Sequence, residues 1–217
     1  MKKTREKTVE LILKHKIIAI MRNVEIKKIL KTAEALYNGG IRLIEVTFNQ
    51  SSQTGMEDAI ASIEIISANF GDSICVGAGT VITLDQLSLA NNAGVQYIIS
   101  PNTCPEIIRK TGDYDMVSIP GAMTPTEIIN AYNYGADFVK VFPAGNLGVN
   151  YIKALSSPIN FVPLLAVGGI NEKNCCEFFN AGAAGIGVGS DLVNLKLIQE
   201  NMFEEITALA KKYTEKI

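Results

Sequence analysis

A chain of 217 residues can bury a substantial core, and a composition of 47% hydrophobic and 19% charged residues without Trp is that of a globular protein. Its 20 Lys and Arg stand against 22 Asp and Glu, a net charge of −2 that leaves no electrostatic footprint for nucleic acid. One histidine, His15, and four cysteines without metal spacing (Cys75, Cys104, Cys175, Cys176) exclude a Ser-His-Asp triad and a multi-histidine metal site.

The chain opens on a basic stretch, 1–7, that leads into a helix-like segment at 8–14. It lacks the apolar core and cleavage site of a signal peptide, and no apolar run is long enough to span a bilayer. A cytoplasmic protein with reduced thiols and no membrane partner is expected. His15 reads as a surface or capping residue.

From there short apolar β runs recur at 17–21, 43–48, 74–77, 97–100, 116–119, 138–142, 164–167 and 185–188. Amphipathic helical stretches separate them: "IKKILKTAEALYNGG" (26–40), "MEDAIASIEIISANF" (56–70), "LDQLSLANNAG" (84–94), "PTEIINAYNYG" (125–135) and "EKNCCEFFNAG" (172–182). Several end in Gly, a C-terminal signal, while Thr83, Thr124 and Asn171 read as N-caps. Eight strand–helix units predict a parallel sheet closed into a (β/α)8 TIM barrel. The whole chain, 1–217, is expected as one domain: an extra N-terminal helix (1–16) over the barrel bottom, the barrel (17–193) and a C-terminal helix (194–217). An open doubly wound sheet is the alternative, but no G-x-G-x-x-G or G-K-[ST] motif supports it.

Active sites of such barrels lie at the C-terminal strand ends. The polar residues there are Arg22, Glu45, Thr47, Asn49, Thr80, Ser100, Lys140 and Ser190. If Ile44, Val46, Val139 and Val141 face the helices, alternation sends Glu45 and Lys140 into the barrel. There they are either a buried ion pair that fills the interior or a nucleophilic amine with a proton-shuttling carboxylate. Lys153, on a predicted helix, is the rival lysine and is expected to snorkel at the surface. Gly168-Gly169 and Gly189-Ser190 should present bare amides at helix N-termini, where phosphate binds.

Together these stretches resemble the class I aldolases of the KDPG/KHG family. The likeness runs from about residue 17 to 193 through "IIAIMR" (17–22), "GGIRLIEVTF" (39–48), "VGAGTV" (76–81), "ISPN" (99–102), "IPGAMTPTE" (119–127), "FVKVFPA" (138–144), "VGGI" (167–170) and "GVGSDLV" (187–193). The resemblance implies a metal-free, cofactor-free lyase that cleaves a phosphorylated 2-keto-3-deoxy acid to pyruvate and glyceraldehyde 3-phosphate, or 4-hydroxy-2-oxoglutarate to pyruvate and glyoxylate. Lys140 would form the Schiff base and Glu45 would be the general acid/base. Arg22 and Thr80 would hold the pyruvate carboxylate. Phe142 and Pro101 would shape the pocket, and Gly168, Gly169, Gly189 and Ser190 would take the phosphate. The resemblance also implies a homotrimer.

Two positions depart from the family pattern. Asn49 stands where many relatives carry arginine, which leaves Arg22 as the anion partner. Val167 stands where gluconate-specific relatives carry threonine; the run 166–169, like "SPN" at 100–102, resembles the 6-phosphogalactonate branch. Two other readings stay open: a phosphate-binding isomerase or decarboxylase without a covalent imine, and a non-catalytic binding barrel.

Overall fold

The computed structural model describes residues 4–217, so residues 1–3 of the expected N-terminal helix lie outside the described residues. Nine parallel strands form one sheet: β1 (Ile17–Met21), β2 (Leu43–Thr47), β3 (Cys75–Gly79), β4 (Tyr97–Ile99), β5 (Val117–Ile119), β6 (Gly121–Ala122), β7 (Val139–Val141), β8 (Leu164–Val167) and β9 (Gly185–Val188). Their order is β5-β4-β3-β2-β1-β9-β8-β7-β6. The two ends of that order are neighbours in the chain, separated by Pro120 alone. Eight strands were expected; the ninth arises because Pro120, which has no N–H, interrupts the fifth. The interrupted strand still joins both sides. The Ser100 amide donates to Ile119 O at 3.2 Å, and the Lys140 amide to Pro120 O at 2.9 Å. This is a (β/α)8 barrel with a broken fifth strand.

Strand alternation builds two shells. Ile44, Val46, Val76, Ala78, Val139 and Val141 point outward and pack with the helices. Ile18, Ile20, Leu43, Tyr97, Phe138, Leu165 and Val167 point inward and fill the barrel. Helix α1 (Arg5–His15) closes the bottom: Ile12, wholly buried, joins the inner cluster. Arg5 Nε donates to Asp137 at 2.9 Å, and Asp137 accepts the Ser118 amide at 2.9 Å, which ties the helix to the lower rim.

The remaining helices are α2 (Ile26–Asn38), α3 (Gly55–Phe70), α4 (Leu84–Asn92), α5 (Pro105–Asp113), α6 (Pro125–Asn133), α7 (Ala144–Leu147), α8 (Val149–Ser156), α9 (Cys175–Asn180), α10 (Leu195–Gln199) and α11 (Phe203–Thr214). Thr83 caps α4, and Thr124 forms a capping box with Glu127 on α6. Asn171 does not cap α9 as expected. Its side chain accepts from the amides of Lys173 and Asn174, making a turn that delays the helix to Cys175. The expected single C-terminal helix is two helices. Asn201, at φ 60, ends the first, with its amide bonded to Ile198 O and the Met202 amide to Leu197 O, a Schellman-type stop. Among the described residues no helix is long and apolar enough to cross a membrane.

Candidate active site

Both charges buried in the barrel lie on inward positions near the strand ends. Glu45 on β2 is 1% exposed and Lys140 on β7 is 7% exposed. The glycines of β3 make room for what faces them. A Cβ at Gly79 would fall 1.7 Å from Glu45 Oε1, and one at Gly77 would fall 2.1 Å from the Tyr97 ring. The G-A-G-T motif therefore leaves a slot for the Glu45 carboxylate, with Tyr97 one layer below.

Glu45 and Lys140 share a cavity of about 290 Å³ with Arg22, Phe142 and Val167. Among the described residues no ion pair or hydrogen bond joins the two, so they are not the close pair of the structural reading. Burial pushes the Glu45 carboxyl above its ordinary range, and Lys140 and then Arg22 pull it partly back. Burial likewise holds the Lys140 amine below its ordinary value; Glu45 opposes this and Arg22 adds to it. The outcome is an amine that gives up its proton easily near a carboxyl that keeps one easily. Lys140 Nζ also sits 5.0 Å from the centre of the Phe142 ring, a half-exposed wall of the cavity. Lys153, by contrast, lies exposed on α8.

Arg22 Nη2 donates to the Thr80 hydroxyl at 3.1 Å, joining the ends of β1 and β3. Val167 points inward and is 6% exposed. Gly168 and Gly169, at φ 88 and 73, turn the chain where a side chain would be strained, and the Gly168 carbonyl accepts the Gly145 amide at 2.7 Å. A Cβ at Gly189 would meet nothing within 4 Å, so packing within the protein does not demand glycine there.

Four placements differ from expectation. Gly168-Gly169 and Gly189-Ser190 line the cavity but do not open helices. The Asn171 turn separates the first pair from α9. A single turn, closed by the Leu192 and Val193 amides on Gly189 O, separates the second from α10. Pro101 lines a different recess of about 350 Å³ on the other side of Phe142. Ser100 serves the fold: buried, it donates to Val81 O at 2.7 Å. Asn49 faces a third recess of about 240 Å³ whose walls include Glu25 and Asp58 but no Lys or Arg. Its amide donates to Asn23 at 3.1 Å. The cavity also takes in Asn23 and Asp191, which the sequence reading missed. Each follows a residue already singled out, Arg22 and Ser190, so extending the strand-end rule by one position would have found both.

Known proteins resemble this chain in sequence and fold. A family model for KDPG and KHG aldolase matches residues 9–209. The 2-dehydro-3-deoxy-6-phosphogalactonate aldolase of Escherichia coli (strain K12) is 33% identical over 93% of this chain and 96% of its own. The 2-dehydro-3-deoxy-phosphogluconate aldolase of Treponema pallidum (strain Nichols) is 32% identical over 91% of each. Among solved structures, KDPG aldolase from Legionella pneumophila, with pyruvate captured as a covalent carbinolamine, superposes with a TM-score of 0.84 at 30% identity, over 94% of this chain and 96% of that one.

Proposed function

The chain belongs to the KDPG and KHG aldolase family, and on that premise we propose that Lys140 and Glu45 carry out Schiff-base cleavage of a phosphorylated 2-keto-3-deoxy acid. The protein is a lyase of the class I aldolase type that releases pyruvate and an aldehyde. The observation that carries the residue assignment is the buried Lys140 amine, over Phe142 and free of a close ion pair, in one cavity with Glu45. A structural charge would be neutralised by a partner. An amine kept from its proton can attack a ketone.

The steps follow from those two groups. The neutral Lys140 amine adds to the C2 carbonyl to give a carbinolamine, and Glu45 protonates the departing hydroxyl so that water leaves and an iminium forms. Glu45, now a carboxylate, takes the C4 hydroxyl proton. The C3–C4 bond breaks, its electron pair flows into the iminium, and glyceraldehyde 3-phosphate departs. Protonation of the enamine at C3 and addition of water return pyruvate and the free amine. Arg22 and Thr80 hold the carboxylate, while the amides around Gly168, Gly169, Gly189 and Ser190 take the phosphate. The open space at Gly189 supports close approach of a ligand to that backbone. Phe142 forms one wall.

Val167 offers no hydroxyl to the C4 hydroxyl, so the site accepts the galactonate epimer at least as well as the gluconate one. A single-domain homotrimer in the cytoplasm, free of nucleic acid and membrane, completes the proposal; sedimentation of the purified chain tests the assembly. Borohydride reduction in pyruvate tests the chemistry. One pyruvate-derived adduct on the peptide carrying Lys140 is expected, and labelling of Lys153 or of nothing would overturn it.

A further inference from the structure

Thr80 is β-branched yet adopts φ 58, in the left-handed region. Such a residue persists there only where its surroundings over-determine it. Two glutamines supply the restraint. Gln50, beyond the end of β2, donates through Nε2 to Thr80 O at 2.8 Å. Gln86, on the first turn of α4 and 4% exposed, donates through Nε2 to Gln50 Oε1 at 2.8 Å. Its own Oε1 accepts the Ile82 amide at 2.9 Å. The chain on both sides of Val81 is thus gripped by one continuous run of amide hydrogen bonds. From the opposite side Ser100 holds Val81 O.

The gripped residue's hydroxyl meets Arg22, which lines the Lys140 cavity. Thr80 Oγ1 accepts from Arg22 Nη2 at 3.1 Å, which leaves its own proton free to donate to an anion. We propose that Gln50 and Gln86 are positioning residues that hold Thr80, and through it Arg22, in register for the carboxylate of the keto acid. This rests on the keto-acid reading of the site. Neither glutamine touches the substrate. Their influence is on carboxylate affinity rather than on the chemistry at Lys140.

The test uses borohydride trapping on the full chain. Gln50→Ala and Gln50→Glu both remove the amide donor from an exposed side chain, so both variants should fold. Their half-saturating pyruvate concentration should rise about fivefold, the size of one neutral hydrogen bond. The limiting trapping rate should stay within about twofold, and the second-order rate with acetone, which has no carboxylate, should not change. Gln86→Leu should act in the same direction, and its effect should not add to that of Gln50→Ala, because the two links act as one unit. An unchanged half-saturation in both Gln50 variants, or equal losses with pyruvate and acetone, would overturn the clamp while leaving the aldolase intact. No pyruvate adduct in the unaltered chain would overturn both.

Discussion

Replacing Gly79 with alanine separates the chemistry of Glu45 from its contribution to the fold. The added Cβ would lie 1.7 Å from Glu45 Oε1, 2.5 Å from Cδ and 2.6 Å from Cγ, where ordinary contact begins at 3.4 Å. The carboxyl group must therefore retreat by roughly 1.7 Å. A misplacement of about 1 Å can cost on the order of 10²-fold in rate, and the loss of a general acid/base costs at least as much. Gly79→Ala should thus lower kcat about 10²-fold, measured by coupling pyruvate release to a dehydrogenase. The stability cost should be small. Gly79 is not among the positive-φ glycines, and Glu45 lines a cavity into which its side chain can swing. An overpacking penalty near 1 kcal/mol would lower Tm by about 2–4 °C. Gly77→Ala is the control, because its Cβ would strike the buried Tyr97 ring at 2.1 Å, which has nowhere to swing. That variant should lose about 3 kcal/mol. Near-normal kcat in a folded Gly79→Ala protein would refute the role given to Glu45. A melt as low as that of Gly77→Ala would refute the steric reasoning.

Trapping of pyruvate should accelerate with pH and level off below 10.5, since burial holds the Lys140 amine under that ordinary value; a midpoint at or above 10.5 would contradict it. For stability the signs run the other way. Folding opposes ionisation of Glu45 as pH rises above 4.5 and protonation of Lys140 as pH falls below 10.5, so both penalties act at neutral pH. The inactive Lys140→Met/Glu45→Gln double variant should therefore melt higher, by a margin on the order of 1–4 kcal/mol in stability, and a lower Tm would count against it. Activity should survive EDTA in full, because no group of three His, Cys, Asp or Glu among the described residues could hold a metal; restoration by Mg²⁺ or Zn²⁺ after a loss would show otherwise. Val167→Thr should shift the ratio of kcat/KM towards the gluconate epimer by about 1–2 kcal/mol, the worth of one neutral hydrogen bond; an unmoved ratio would mean that C4 is read elsewhere.

The barrel, its bottom helix and the inward aim of Glu45 and Lys140 were legible in the sequence. Each follows from geometry local to a few residues. Strand side chains alternate and helix faces repeat, so Ile44 and Val46 going outward sends Glu45 in, wherever the strand sits. Some local features were still misread. Pro120 splits the fifth strand while leaving its neighbours bonded on either side, and Asn171 spends its cap on a turn before α9. What the sequence could not settle is which loop atoms meet. Gln50 and Thr80 are 30 positions apart, and Gln50 and Gln86 are 36 apart. Pro101, which the family resemblance assigned to the pocket, lines a separate recess that shares Phe142. Such meetings depend on the register of every strand pair and on the closure of the ring. They are sums over the whole barrel, and only the folded chain evaluates them.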